Sequence, residues 1–301
     1  MSQTLVVALD NSDLSARALP FARNVAHLWR GRLVLVHANV HQGRAGPCSV
    51  DRELTDLVRA LRAEGIDAEA VLRAAPPARA IVDVAGEHRA ELIVMASHQR
   101  HGFDRWLHGS VTEEVLQNTS TPLLVVPAQA SVSSRHTVRV LVPLDGSAAG
   151  EAALDLLKRW STRRPIEVRL LRVAALPQVV VGWDPALVVP PLEADELEAE
   201  VRQAQAYLAD RAEDLSAEGV PTRRQVIETA DPVAMVILDT AQREQVDGIV
   251  LGTHGKGGVA RLVLGSVSED VLEHSLVPVL LVRPKAGAAG GARARLASAR
   301  G

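Results

Sequence analysis

Residues 246–284 read VDGIVLGTHGKGGVARLVLGSVSEDVLEHSLVPVLLVRP, and residues 90–127 read AELIVMASHQRHGFDRWLHGSVTEEVLQNTSTPLLVVP. Each is an apolar run, a glycine-rich or polar stretch closed by Gly-Ser, a helix-like run, and a second apolar run. The likeness continues outward. TLVVALDNSDLSARALPFA (4–22) matches VRVLVPLDGSAAGEAALDLL from Val138, so Asp10 aligns with Asp145 and Ser12 with Ser147. GIDAEAVLRAAPPARAIVDVA from Gly65 matches GVPTRRQVIETADPVAMVILDTA from Gly219. The period is longer than any solenoid unit, so the chain holds two copies of one domain.

Each copy reads as five strands alternating with four helices. In the second copy the strands are VRVLVPL, EVRLLRV, TRRQVIE, GIVLGT and PVLLVRP. Continuous apolar runs, rather than alternation, suit strands covered on both faces and hence a parallel sheet. GEAALDLLKRWST has helical apolar spacing, with Asp145 and Ser147 as cap candidates ahead of it. LEADELEAEVRQAQAYLADRAEDLSAEG reads as a long amphipathic helix ending near Gly219. The fold class is α/β, as two tandem doubly wound domains, each a five-stranded parallel sheet flanked by helices. Their expected limits are 1–128 and 137–284, joined by the polar linker PAQASVSSRHTV and followed by a disordered, low-complexity tail, 285–301. Asp10 and Asp145 stand 135 residues apart, but Gly109 and Gly265 stand 156 apart. The extra residues of the second copy fall in ALPQVVVGWDPALVVPPLEAD, 175–195, which reads as a surface loop.

With 301 residues, 47% hydrophobic and 23% charged, the chain can bury two cores. A net charge of −3 argues against a general nucleic-acid binder, and 2% aromatic residues leave no base-stacking platform. The N-terminus reads as no signal peptide, and no long apolar run suggests a membrane span. The single cysteine, Cys48 in GRAGPCSVD, reads as a loop residue and fits a reducing, cytoplasmic location.

The glycines carry the functional signal. GTHGKGG follows a strand at the C-terminal edge of a parallel sheet, where such folds bind ligands. Glycine there permits positive φ and close backbone approach. Gly265 and Ser266 then open a helix whose first N–H groups lack partners, an anion cradle. Asp145 ends the first strand of the same copy, on the same edge.

The pattern Gly252-x2-Gly255-x9-Gly265-Ser266, following VPLDGS, resembles the ATP-binding form of the universal stress protein domain, over nearly the whole chain as two copies. The resemblance implies ATP held at the sheet edge, with AMP, ADP and a Mg2+ ion as further candidates, in a cytoplasmic stress-related regulator. It implies that Gly252, Gly255, Gly265, Ser266 and Val267 hold phosphates and ribose, with Ser268 beside them. Pro143, Leu144, Asp145 and Val173 would surround adenine and ribose, and Thr253, His254 and Lys256 lie in the loop. It also implies pairing through the final strand, so that the two copies join antiparallel within one chain, with a homodimer of chains as a further option.

The first copy departs from the pattern. Ala96 and Gln99 replace the first two glycines, while Gly109 and Ser110 remain. Gln99 adds a side chain where backbone must approach phosphate, so nucleotide binding by this copy is expected to be weaker or absent. Its corresponding positions are Leu9, Asp10, Ala38, Ala96, Ser97, Gln99, Gly109, Ser110 and Val111. The leading function is a nucleotide-responsive binding protein acting through a regulatory protein partner. The alternatives are a ligand-free interaction scaffold and a slow ATPase or autophosphorylating protein using Ser266 or Thr253. No Walker pattern, catalytic residue or metal cluster is visible, so hydrolysis is expected to be slow or absent.

Overall fold

In a computed structural model of the chain, the described residues are 3–10, 17–38, 47–97, 110–175, 194–253 and 264–284. The first copy comprises β1 (Thr4–Leu9), α1 (Ala18–Trp29), β2 (Arg32–Ala38), α2 (Pro47–Ala63), β3 (Asp67–Arg73), α3 (Pro77–Glu87), β4 (Leu92–Ala96), α4 (Ser110–Asn118) and β5 (Leu123–Val126). The second comprises β6 (Val138–Pro143), α5 (Ala148–Ser161), β7 (Ile166–Ala175), α6 (Ala194–Ala217), β8 (Thr222–Thr229), α7 (Val233–Arg243), β9 (Gly248–Gly252), α8 (Ser266–His274) and β10 (Val279–Val282). The doubly wound α/β reading holds. The 175–195 insert and the 285–301 tail lie almost wholly, or wholly, outside the described residues. Cys48, read from sequence as a loop residue, instead falls in the first turn of α2. Pro47 precedes it, and proline suits a first helical position because its missing N–H would be unpaired there anyway.

The strands form one sheet of ten, in the order β3-β2-β1-β4-β5-β10-β9-β6-β7-β8. All neighbours are parallel except β5 and β10, which pair antiparallel through Val125↔Val279, Leu124↔Leu280 and Leu123↔Leu281. The expected joining of the two final strands is therefore present. The central pair matches Leu124 with its own counterpart in the repeat, so a pseudo-two-fold axis passes through that pair. An apolar edge left open would template aggregation, and here each edge covers the other. The outer edges, β3 and β8, are half-exposed and carry charge, Arg223 and Arg224 among it.

One hydrophobic cluster lies on each sheet face. Leu5, Val7 and Leu9 of β1 point to the face covered by α1, α2, α5 and α6, while Val6 points to the face of α3, α4, α7 and α8. Burial on both sides explains the unbroken apolar runs. Both clusters draw residues from both copies. The linker is also tied down: Arg135 Nη1 donates to Asp247 Oδ1 at 3.0 Å and to the Gln245 carbonyl at 2.9 Å. Helix α6 ends as its sequence suggests, with Gly219 at φ 77 and the Val220 N–H returning to the Leu215 carbonyl at 3.0 Å. Among the described residues no helix is long and apolar enough to cross a membrane.

Candidate functional site

Strand order reverses direction between β6 and β9 in the second copy. Chain connections leave the two strands on opposite sides there, which opens a crevice at their C-terminal ends. The β6–β9 ladder runs only through Val140↔Gly248 and Leu141↔Ile249. Beyond it stand Pro143, Leu144 and Asp145 on one side, and Gly252 and Thr253 on the other. Val173 lies near the end of β7, half-buried. Gly265, Ser266, Val267 and Ser268 form the N-terminus of α8. The structure thus brings these ten sequence-selected residues to one sheet edge. His254, Gly255 and Lys256 lie outside the described residues.

Local bonding holds the first side of the crevice. The Leu144 N–H donates to the Leu171 carbonyl at 2.8 Å. Asp145 Oδ1 accepts from the Ser147 N–H at 2.9 Å, and Ser147 Oγ caps α5 by accepting from the Gly150 N–H at 3.3 Å. Of the two cap candidates, Ser147 is the cap, and Asp145 braces the turn ahead of it. Across the crevice, the Thr253 N–H donates to the Val282 carbonyl at 3.0 Å, and the Thr253 side chain is buried.

The two described glycines of the motif serve different ends, and neither needs positive φ. A Cβ built on Gly252 would lie 2.4 Å from the Ala149 carbonyl carbon and 2.6 Å from the Ala149 Cβ. Gly252 is therefore required by the first turn of α5 lying against the end of β9. Gly265 has φ −82 and ψ 158, conformations any residue adopts, and a Cβ there would meet nothing within 4 Å. It is exposed and begins α8 without a side-chain cap among the described residues, so the first N–H groups of that helix lack a capping side chain. Neither position uses the positive φ that glycine permits. At Gly252 the group that approaches closely within the fold is the chain's own helix.

The first copy places Leu9, Asp10, Ala38, Ala96 and Ser97 at the matching edge, with the Ser97 N–H donating to the Val126 carbonyl at 2.8 Å. Ala96 is buried. Ser110 and Val111 open α4. Gln99 and Gly109 lie outside the described residues.

The model of the universal stress protein family matches residues 1–127 and again 137–283. The chain belongs to that family. A universal stress protein of Mycolicibacterium smegmatis is 26% identical over 301 residues, covering 93% of this chain and 97% of that one. One from Mycobacterium tuberculosis is 30% identical over 208 residues, 69% of this chain and 66% of its own length. A solved universal stress protein from Archaeoglobus fulgidus superposes with a TM-score of 0.70 at 21% identity, over 94% of this chain and 99% of that one, a likeness of fold.

Sequence reading missed two features of this tandem universal stress protein. Arg172 Nη1 donates to the Leu144 carbonyl at 3.1 Å, and its repeat counterpart His37 places Nδ1 2.9 Å from the Leu9 carbonyl. Both copies thus tie the end of their second strand to the end of their first. A polar residue at the same place near the end of the second strand in both repeats, His37 and Arg172, was the available signal. The second feature is confined to the second copy. Tyr207 donates to Glu151 Oε1 at 2.6 Å, and Arg211 Nη1 donates to Glu151 Oε2 at 3.1 Å. Burial above all, then the bond to Glu151 and its charge, push the Tyr207 phenol well above the usual tyrosine range; Asp145 adds to the shift and Arg211 opposes it. This cluster pins α6 to the first turn of α5, beside Asp145. Its members are distant in sequence, so no local pattern announces it.

Proposed function

We propose that the second copy binds an adenine nucleotide, ATP foremost, and that occupancy alters how this cytoplasmic protein engages a regulatory partner. One observation carries the reading: Gly265 opens an uncapped helix at the strand-order switch, and nothing among the described residues requires glycine there. Absence of a Cβ leaves room for a ligand against the backbone, and helix N–H groups favour an anion. The donor set suits a phosphate chain. Gly265, Ser266, Val267 and Ser268 would hold it with Gly255, while Thr253, His254 and Lys256 complete the loop. Asp145, a carboxylate, suits ribose hydroxyls, and Pro143, Leu144 and Val173 offer an apolar wall for a base. Gly252 contributes by letting α5 close against β9. The first copy, with Ala96 and Gln99, binds nucleotide more weakly or not at all and serves as the structural partner.

In this reading the two domains are residues 1–128 and 137–284, and the second is the binding unit. Native mass measurement of the full chain tests it directly: about one nucleotide mass should be retained per chain, and calorimetry should give one binding event with ATP. Absence of both retained nucleotide and binding heat overturns the proposal and favours a ligand-free scaffold.

A further inference from the structure

Where the two copies meet, on the sheet face covered by α1 and α5, lies a cavity of about 160 Å³. Phe21, Val25 and Trp29 of α1, Leu157 and Trp160 of α5, and the Leu124–Leu280 pair of the pseudo-two-fold axis line it. The starts of β6 and β9, Val138 and Gly248, also line it, so it sits at the opposite end of the strands from the candidate nucleotide site. The two sites share no lining residue.

The chain holds only four Trp, two Phe and one Tyr. Three of those seven, Phe21, Trp29 and Trp160, line this one cavity, and Trp29 and Trp160 meet edge to face at 4.8 Å. Aromatic walls with few polar groups are what small-molecule sites use. The polar groups on the lining are unequal. Asp247 is satisfied, by Arg135 Nη1 at 3.0 Å and the Arg139 N–H at 2.8 Å. Among the described residues the Arg164 guanidinium bonds to linker carbonyls alone, Arg135 O at 2.9 Å and His136 O at 3.4 Å, and has no carboxylate within ion-pair distance. Burial holds its guanidinium below the usual arginine range, with Asp247 pulling the other way. A partly desolvated cation at the edge of an apolar cavity favours an anion attached to an apolar body. An apolar cavity of about 150 Å³ stays dry and accepts a benzene ring, so this one has room for a single ring or a short alkyl chain.

We propose that this cavity binds a small anionic amphiphile, an aromatic or medium-chain carboxylate, with its apolar body against the joined Trp29–Trp160 pair and Leu280 and its carboxylate on Arg164. Both copies contribute walls, so a bound molecule ties the halves together.

The probes are sodium octanoate, 1-octanol and octylammonium, titrated into the full chain by calorimetry with melting curves in parallel. Octanoate should bind saturably and raise the melting temperature, octanol should bind about tenfold or more weakly, and octylammonium should not bind. Arg164→Gln should bring octanoate down to the level of octanol. Leu28→Trp, and Val25→Phe as the milder variant, should fill the cavity and abolish both while still melting cooperatively. The proposal is overturned if octanoate shows no saturable binding, if Arg164→Gln leaves its preference over octanol intact, or if the cavity-filling variants bind octanoate as before. A concentration-dependent dimer that disappears in Leu28→Trp would make a second copy the occupant and overturn it equally. ATP binding should be unaffected by these variants, which separates this test from the nucleotide proposal.

Discussion

Alanine at each of two motif glycines should separate packing from ligand binding. In Gly252→Ala the new Cβ would sit 2.4 Å from the Ala149 carbonyl carbon and 2.7 Å from its oxygen. Both are backbone atoms, so no rotamer change relieves the clash. The first turn of α5 must retreat by about 1 Å to restore ordinary contact, and overpacking of this kind costs about 1–3 kcal/mol. For a unit of this size each kcal/mol moves the midpoint by about 2–4 °C, so the second copy should melt roughly 5 °C lower. In Gly265→Ala the Cβ enters open space at φ −82. Loss of unfolded-state freedom stabilises by about 0.4–1 kcal/mol, while alanine is a poorer helix cap than glycine. The two nearly cancel, and stability should change by less than about 0.5 kcal/mol. Yet that Cβ occupies the space left for phosphate, so ATP affinity should fall about tenfold or more, equivalent to about 1.4 kcal/mol. Differential scanning calorimetry without nucleotide and titration calorimetry with ATP read the two effects separately. If Gly265→Ala melts as low as Gly252→Ala, or binds ATP unchanged, the division of roles is wrong.

Three further outcomes are expected. Leu280→Pro stands at the axis pair of the β5–β10 junction but removes a ladder hydrogen bond to β9, the side of β10 that the Pro278 and Val282 carbonyls face. It strands that partner at a cost of about 1–3 kcal/mol, and should loosen β10 and speed protease cleavage in the 127–137 linker; unchanged melting and cleavage would contradict it. Gly255→Gln, copying the first copy's Gln99, should abolish most ATP binding, and a stoichiometry near two nucleotides per chain would contradict the assignment of the first copy. Because Tyr207 is the chain's one tyrosine, ultraviolet titration reads it alone. Its folded pKa is raised, so its stabilising contribution is complete below the ordinary tyrosine value of about 10 and is lost as pH rises beyond it. Stability should therefore fall on the alkaline side, less so in Tyr207→Phe, and phenolate forming at about pH 10 in the folded chain would refute the buried bond to Glu151.

The strands, their parallel order and the repeat were legible because burial on both faces writes itself as unbroken apolar runs, and because two copies cross-check each other. Asp145, Gly265 and Ser266 could be placed on one sheet edge for the same reason: each ends or begins an element whose neighbours follow from the fold class. What was not legible was the reason for each residue. A glycine between strand and helix looks the same in sequence whether it avoids Ala149 or admits a ligand, and only the position of α5 distinguishes Gly252 from Gly265. Cys48 looked like a loop residue because glycines precede it, while Pro47 was a helix start. Long-range polar contacts such as Tyr207–Glu151 and Arg135–Asp247 leave no trace in local pattern.

The junction shows why the tandem form is more than two domains on a string. A lone copy ends its sheet in an open apolar edge at β5 or β10, and pairing is then a matter of concentration. Here the linker is short and is anchored through Arg135 to Asp247, so the partner edge is held in place at a high effective concentration. Leu124 meeting Leu280 makes the contact one that two identical copies could have made. Fusion then releases each copy from having to be identical. The second keeps the glycines beside its switch point, while the first has replaced two of them and still supplies its half of the interface and of the aromatic cavity. Divergence at the sheet edges, with retention of the central strands, is the arrangement expected when packing constrains the junction and ligand binding constrains only one copy.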